Sequence, residues 1–288
     1  MPQSAAMPSP LRLRRLRSSS ALPGLNLSLG ITVFWLSFIV LVPLAAVFVK
    51  SASGGWDEFA RAAFSSRALA SYRVTFGAAL IAAAINVVFG LLVAWVLVRY
   101  EFPLKRLMGA LVDLPFALPT AVAGIALTAL YADKGLIGRQ LEAFGLPVAY
   151  HPAGIVVALT FIGLPFVVRT VEPVLAEVSR EAEEAALTLG ASRLQTFVRV
   201  ILPTLFPALA TGFTLAFARG AGEYGSVIFI AGNMPFRSEI APLLIITQLE
   251  EYDYVGAAAI ATVMLFASFA LLLVLNLLQH WQQRRLGT

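Results

Sequence analysis

The sequence predicts an all-α integral membrane protein with six transmembrane helices. Three observations lead there. Apolar residues make up 59% of the 288 residues, charged ones only 13%, and the mean hydropathy is +0.83, more apolar than a soluble domain of this length can cover with polar surface. The apolar residues gather into six stretches, 29–49, 74–98, 108–131, 153–171, 204–231 and 255–279. Each is close to the roughly 20 residues that carry a helix across the hydrocarbon core, where every backbone polar group must be satisfied internally. Finally, the basic residues sit at the ends of these stretches, so the net charge of +5 reports membrane orientation rather than a nucleic-acid partner.

In chain order, residues 1–28 are rich in Pro, Ser, Leu and Arg, with Arg12, Arg14, Arg15 and Arg17 together, and are expected to be a disordered basic arm on the cytoplasmic side. A basic stretch before an apolar one also suits a signal peptide. However, the apolar stretch 29–49 exceeds the about 7–15 residues of a typical signal core, so it is read as the first span, uncleaved. An even number of spans places both termini on one side. Thirteen basic residues then fall on the side of the termini, of 99–107 and of 169–203, against seven on the other, with Arg219 inside a span. The positive-inside rule makes the first side cytoplasmic, and residues 280–288 a cytoplasmic tail. The external segments 50–73, 132–152 and 232–254 hold aromatic and charged residues that a partner could contact or that are simply solvated.

The longest cytoplasmic segment, 172–203, is polar and lies between two spans, so it belongs at the membrane surface, within reach of a soluble partner. Leu175, Val178, Ala182, Ala185 and Leu189 recur at helical spacing, with Glu177, Glu181, Glu184 and Thr188 on the other face. Gly190 can take positive φ and end that helix. Ser192 and Gln195 have the offset of a capping box. Leu194, Phe197, Val198 and Ile201 form a second apolar stripe, and Pro203 is expected to bend or break the helix that reaches it. A mere surface loop would show the same geometry.

Two further regions place polar or helix-breaking residues at membrane depth. Arg219 and Glu223 lie four apart, on one face of the fifth span, among Gly220, Gly222 and Gly225. With Tyr224 and Ser226 they either line a solute path or form an internal ion pair that locks two helices, since ionisable groups in lipid face a cavity or each other. In the third span Pro115 and Pro119, followed by Thr120, should kink or interrupt the helix. Broken helices in transporters often border binding sites, though packing kinks are as natural. Asn86 in the second span is expected to make a helix–helix hydrogen bond.

Several classes find no support. No Gly-x-x-x-x-Gly-Lys-[Ser/Thr] run exists, so nucleotide binding by a P-loop is not expected, and any ATP would be bound by a partner. There is no Cys, and His151 and His280 stand far apart at span edges, which argues against a metal site and against an intramembrane serine protease. Nothing in the chain suggests a catalytic residue.

The pattern Glu184-Ala185-Ala186, Gly190, Val200 and Leu202-Pro203 resembles the EAA loop of bacterial ABC importer permeases, and Ala191 falls beside its glycine. Residues 29–279 resemble the sulfate/thiosulfate permease subunits, most closely their T type. The stretches YRVTFGAALIAAAINVVFGLLVAWVLVRYEFP (72–103), DLPFALPTAVAGIALTALY (113–131), GIVVALTFIGLPFVVRTVEPVL (154–175) and FARGAGEYGSVIFIAGNMPFRSEIAPLLI (217–245) carry the likeness. Molybdate permeases share the proline-rich span and the Arg-Gly-x-Gly-Glu region. The resemblance implies a type I importer permease fold in the bacterial inner membrane. Its 172–203 loop would be a coupling helix docking on an ATPase, through Glu184, Ala185, Ala186, Gly190, Ala191, Leu202 and Pro203. It also implies a W-type permease as heterodimer partner, two ATP-binding cassette subunits and a periplasmic sulfate/thiosulfate-binding protein. The solute-path candidates are Pro115, Pro119, Thr120, Arg219, Glu223, Tyr224 and Ser226. The alternatives are a molybdate/tungstate importer permease, an ion-coupled secondary transporter, or a scaffold that moves no solute.

Overall fold

A computed structural model of the chain describes residues 25–286, with side chains from 27 to 279. The chain divides within its first span into a short unit ending at Ala46 and a larger one from Val47 onward. Most of the expected basic arm therefore lies outside the described residues. Residues 25–28 are already helical, because the apolar run that opens α1 (Leu25–Leu36) begins there. After a π-helical turn, Ser37–Leu41, the helix resumes as α2 (Val42–Ala52), and together they make the first long apolar helix, Leu27–Ala52.

The larger unit begins with a short helix, α3 (Gly55–Ala63), then α4 (Ser66–Arg99), started by the Ser65 side chain, which accepts from the Ala68 N–H. The third span is two helices, α5 (Lys105–Ala117) and α6 (Thr120–Tyr131), meeting at 114°. A six-residue helix, α7 (Gly138–Ala143), precedes α8 (Pro152–Glu177). The cytoplasmic-side segment holds α9 (Arg180–Thr188) and α10 (Arg193–Thr196), and a π-helical turn, Phe197–Ile201, leads into α11 (Leu202–Ala221). The chain closes with α12 (Val227–Ile230), α13 (Ala241–Glu250) and α14 (Tyr254–Leu286). Among the described residues there is no strand. Among these residues five helices are long and apolar enough to cross a membrane, and six if the bent pair α5–α6 counts as one span.

The centre of this unit is the mutual packing of α4, α8 and α11. On α4 the buried positions Ala78, Ala79, Ala82, Ala83, Asn86 and Gly90 follow three- and four-residue steps. The opposite face, with Leu80, Ile81, Val88, Phe89 and Leu92, is exposed. Small residues on the inner face let backbones approach, the main source of helix association where lipid is as apolar as leucine. Asn86 lies against Gly163 of α8, where an added Cβ would come within 2.3 Å of its amide nitrogen, yet neither end of its amide has a hydrogen-bond partner. The helix–helix hydrogen bond expected of it is not made. Gln279 makes such a bond instead, tying α14 to α11 by donating to the Ala210 carbonyl (2.8 Å) and the Thr214 hydroxyl (2.7 Å).

Three expectations are corrected. The fifth span does not run 204–231: the apolar helix occupies Arg193–Ala221, and 222–226 leave the helix. Pro203 does not break it. The π turn before it pairs the Leu202 N–H with the Phe197 carbonyl, and this extra residue per turn makes room for the proline ring near the start of α11. The amphipathic run 175–189 is two helices, because Val178 turns to an extended conformation and Ser179 caps a new helix.

Candidate functional site

The hairpin 179–203 is built by local signals. The Ser179 hydroxyl accepts from the Glu181 N–H at 3.1 Å and starts α9. At the other end Gly190 has φ +84°. The Gly190 N–H bonds the Leu187 carbonyl (3.0 Å) and the Ala191 N–H the Ala186 carbonyl (3.0 Å), the paired bonds of a Schellman motif. Two residues on, Ser192 and Gln195 form the reciprocal capping box expected from their spacing, with bonds of 2.8 and 3.3 Å. The turn between the two helices is therefore satisfied without any outside partner.

Its surface is unusual for a polar loop. Glu184 and Ala185 are exposed and Ala186 and Ala191 half-buried, so the Ala face expected to pack is largely open. Leu189 is 89% exposed and Leu194 72%. The second stripe is rotated by the π turn: Ile201 is buried and Phe197 half-buried, while Leu194 and Val198 face outward and Thr196 is buried in their stead.

The second region lies at membrane depth. Pro119 lacks an N–H and disfavours helical φ/ψ at the residue before it. Leu118 is accordingly extended, with ψ 134°, and α6 starts afresh at Thr120. Pro115 lies inside the last turns of α5 and leaves that helix unbroken. On the other side, α11 ends at Ala221, and Glu223 lies in the loop rather than on the helix face assumed for it. Its carboxylate organises that loop. Oε1 accepts from the Ser226 N–H (2.9 Å) and hydroxyl (3.0 Å), and Oε2 meets Arg219 at 2.6 Å. The Glu223 side chain is 2% exposed and that of Arg219 36%. Both carboxylate oxygens are thus bonded, and the Arg219 side chain stays partly exposed.

The break in the third span and this loop are in contact. A Cβ on Gly225 would lie 2.2 Å from the Thr120 hydroxyl, and one on Gly124 would lie 2.4 Å from the Ser226 carbonyl oxygen. The fold therefore brings Thr120, Ser226 and Glu223, with Arg219 behind them, into one cluster. Pro119 stands at its edge and Pro115 a turn away in α5. Tyr224 is half-buried in the loop, its carbonyl accepting from Ile228 at 3.0 Å.

One constellation escaped the sequence reading. Arg169 of α8 meets Asp113 of α5 through two bonds (Nε–Oδ1 2.8 Å, Nη2–Oδ2 2.6 Å), Glu172 at 2.5 Å and the Gly109 carbonyl at 2.9 Å. Phe116 stacks edge-on against Phe166 beside it, at 5.1 Å. Together they bolt the first half of the broken span to α8. The available signal was an acid and an arginine assigned to the same end of neighbouring spans. Because both partners are about 40% exposed, Asp113→Asn is expected to cost only about 1 kcal/mol, read as a small drop in the thermal midpoint of the purified protein.

These features are those of a polytopic α-helical membrane protein: a bent apolar helix pair against a polar loop, and a self-capped polar hairpin between two long apolar helices. Residues 86–288 match the model of the binding-protein-dependent transport system inner membrane component. The chain is 50% identical over 277 residues to the sulfate transport system permease protein CysT of Synechococcus elongatus, covering 96% of this chain and 99% of that one. It is 48% identical over 268 residues to the Escherichia coli protein of the same name, with 93% and 97% covered. The chain belongs to this family of inner membrane transport components, in its CysT group. Among solved structures, a bacterial ABC transporter involved in import of the acidic polysaccharide alginate contains a chain that superposes with a TM-score of 0.73 at 16% identity, over 90% of this chain and 95% of that one. The alginate transporter in complex with its pentasaccharide-bound periplasmic protein gives 0.66 at 18% identity, over 91% and 94%. At such identities the likeness is one of fold.

Proposed function

We propose that the chain is the T-type membrane subunit of an ATP-driven sulfate/thiosulfate importer in the bacterial inner membrane, with both termini and the 179–203 hairpin cytoplasmic. Near-complete coverage at about half identity to CysT proteins supports the substrate class. The observation that carries the coupling role is the exposed apolar edge of the hairpin, Leu189 and Leu194 on either side of a fully satisfied turn. Leucines left in water on a rigid polar hairpin favour a partner surface that buries them. That partner is a cleft on each of two ATP-binding cassette subunits, facing this chain and a W-type permease. Glu184 contacts a basic or backbone group there, and Ala185 and Ala186 allow close approach. Gly190 sets the turn, Ala191 closes it, and Leu202-Pro203 feed the hairpin into α11. ATP closes the ATPase pair, the hairpins move with it, and the spans open outward to receive sulfate from a periplasmic sulfate/thiosulfate-binding protein. No cofactor is bound by this chain.

Sulfate passes the Arg219–Glu223–Ser226 cluster and the break at Pro115–Thr120. Arg219 is the cationic group that stays partly exposed, and Tyr224 lies in the same loop.

Radiolabelled sulfate uptake in cells lacking this chain tests the proposal. Restoring the chain should restore uptake that excess molybdate barely competes with. Unchanged sulfate uptake together with failing molybdate-dependent enzymes would move the chain to the molybdate/tungstate branch. Glu184→Lys and Gly190→Asp should each still co-purify with the W-type subunit yet lose most sulfate uptake. Normal uptake by both would remove the docking role.

A further inference from the structure

Two side-chain contacts fasten the hairpin to the end of α4. Arg99, in the last turn of that helix, pairs with Glu183 of α9. The same guanidinium lies over the Trp95 ring, 5.5 Å from its centroid. Trp95 in turn takes Phe197 edge-on, with centroids 5.6 Å apart and planes at 76°. Phe197 opens the π turn on the hairpin's second arm. Both arms thus converge on one helical turn, the first through an ion pair, the second through an aromatic contact, and the guanidinium joins the two.

Burial makes this an unlike case from a surface pair. The Arg99 side chain is 11% exposed and that of Glu183 24%, and the Arg99 Nε is buried without a hydrogen-bond partner. A charge kept this dry with an unmet donor is unfavourable unless its one carboxylate stays in place, so moving α9 away from α4 is resisted. Arg99 also sits at the helix C-terminus, where the macrodipole favours a cation.

Resting on the docking role proposed above, we infer that Arg99, Glu183, Trp95 and Phe197 form the clamp that transmits hairpin movement to the membrane, with α4 as the lever. Arg99 and Glu183 are positioning residues. They touch neither nucleotide nor solute, and their role is to make hairpin and span move as one body. Because α4 packs along α8 and α11, displacing its inner end displaces the centre of the larger unit.

The test uses the complete transporter in proteoliposomes, with its binding protein, measuring ATP hydrolysed per sulfate imported. Arg99→Glu and Glu183→Arg should each raise that ratio roughly tenfold, the factor for about 1.4 kcal/mol of coupling, while the ATPase subunits still co-purify. The double variant R99E/E183R should bring the ratio back toward wild type. Trp95→Leu, which keeps the ion pair and removes the aromatic contact, should raise it by a smaller factor. Singles with a wild-type ratio overturn the clamp, as does a double variant no better coupled than either single. If a single variant fails to assemble, Trp95→Leu alone decides: an unchanged ratio rejects the clamp. Failure of the docking role itself reads differently, since Glu184→Lys would then import normally whatever Arg99 does. Uncoupling by Glu184→Lys beside a normal ratio in the Arg99 and Glu183 variants rejects the clamp only.

Discussion

Replacing Glu223 by alanine is expected to destabilise the protein more than removing the whole pair. In the native protein this carboxylate meets Arg219 and accepts two bonds from Ser226, and it is almost fully buried. Its loss strands a cation at membrane depth and frees a backbone N–H and a hydroxyl. Breaking a buried pair from one side costs about 3–5 kcal/mol. The Arg219 side chain, 36% exposed, lets water or headgroups compensate in part, so about 3 kcal/mol is the better figure. Arg219→Met with Glu223→Met removes both charges and should recover part of that loss. Thermal unfolding of the detergent-purified protein, with tryptophan fluorescence as readout, gives the order. A single variant as stable as wild type would mean that the pair does not hold the 222–226 loop. Ser226→Ala, which removes only the hydroxyl, should cost about 1 kcal/mol.

Gly124→Val is the second large effect. The added Cβ would come within 2.4 Å of the Ser226 carbonyl oxygen and 2.7 Å of its Cα. These are backbone atoms of a loop fastened by Glu223, so they cannot swing aside as a side-chain tip would. Overpacking of this kind costs typically 1–3 kcal/mol and sometimes more, here at the seam between the broken span and the loop. We expect a large fall in membrane-inserted protein and loss of sulfate uptake by what remains. Gly222→Ala is the control: its Cβ would meet nothing nearer than 4.0 Å, and it should behave nearly as wild type. Equal expression and uptake for Gly124→Val would show that α6 and the loop separate during transport and that the contact is not needed.

Both variants concern the membrane-depth cluster, the part of the protein least legible in the sequence. Arg219 and Glu223 stand out as charges in an apolar run, but their four-residue spacing suggested a helix face. The glycines around them and the Ser226 bonds instead end the helix at Ala221. Asn86 misled in the other direction: an amide in a span suggests a partner, and none is met. Arg169 and Asp113 were legible only as charges near span ends. Their bidentate pairing depends on α5 lying beside α8, which no local pattern encodes.

The hairpin is the opposite case. Gly190, Ser192 and Gln195 declare its turn within a few residues, because a positive φ and a capping box are local bargains between a side chain and its own backbone. The span pattern is likewise local, since lipid demands about 20 apolar residues whatever their neighbours are. Sequence by itself thus determined the all-α class, the presence of long apolar helices, an interruption within the Pro115–Pro119 stretch and the turn of the hairpin. Tertiary structure alone decided that the break faces the Gly225–Ser226 loop, that Glu223 is buried with both oxygens bonded while Arg219 stays partly exposed, and that Arg99 and Trp95 grip both arms of the hairpin. Those contacts join residues up to about a hundred positions apart, and the packing of α4, α8 and α11 and of α6 against α12 brings them together.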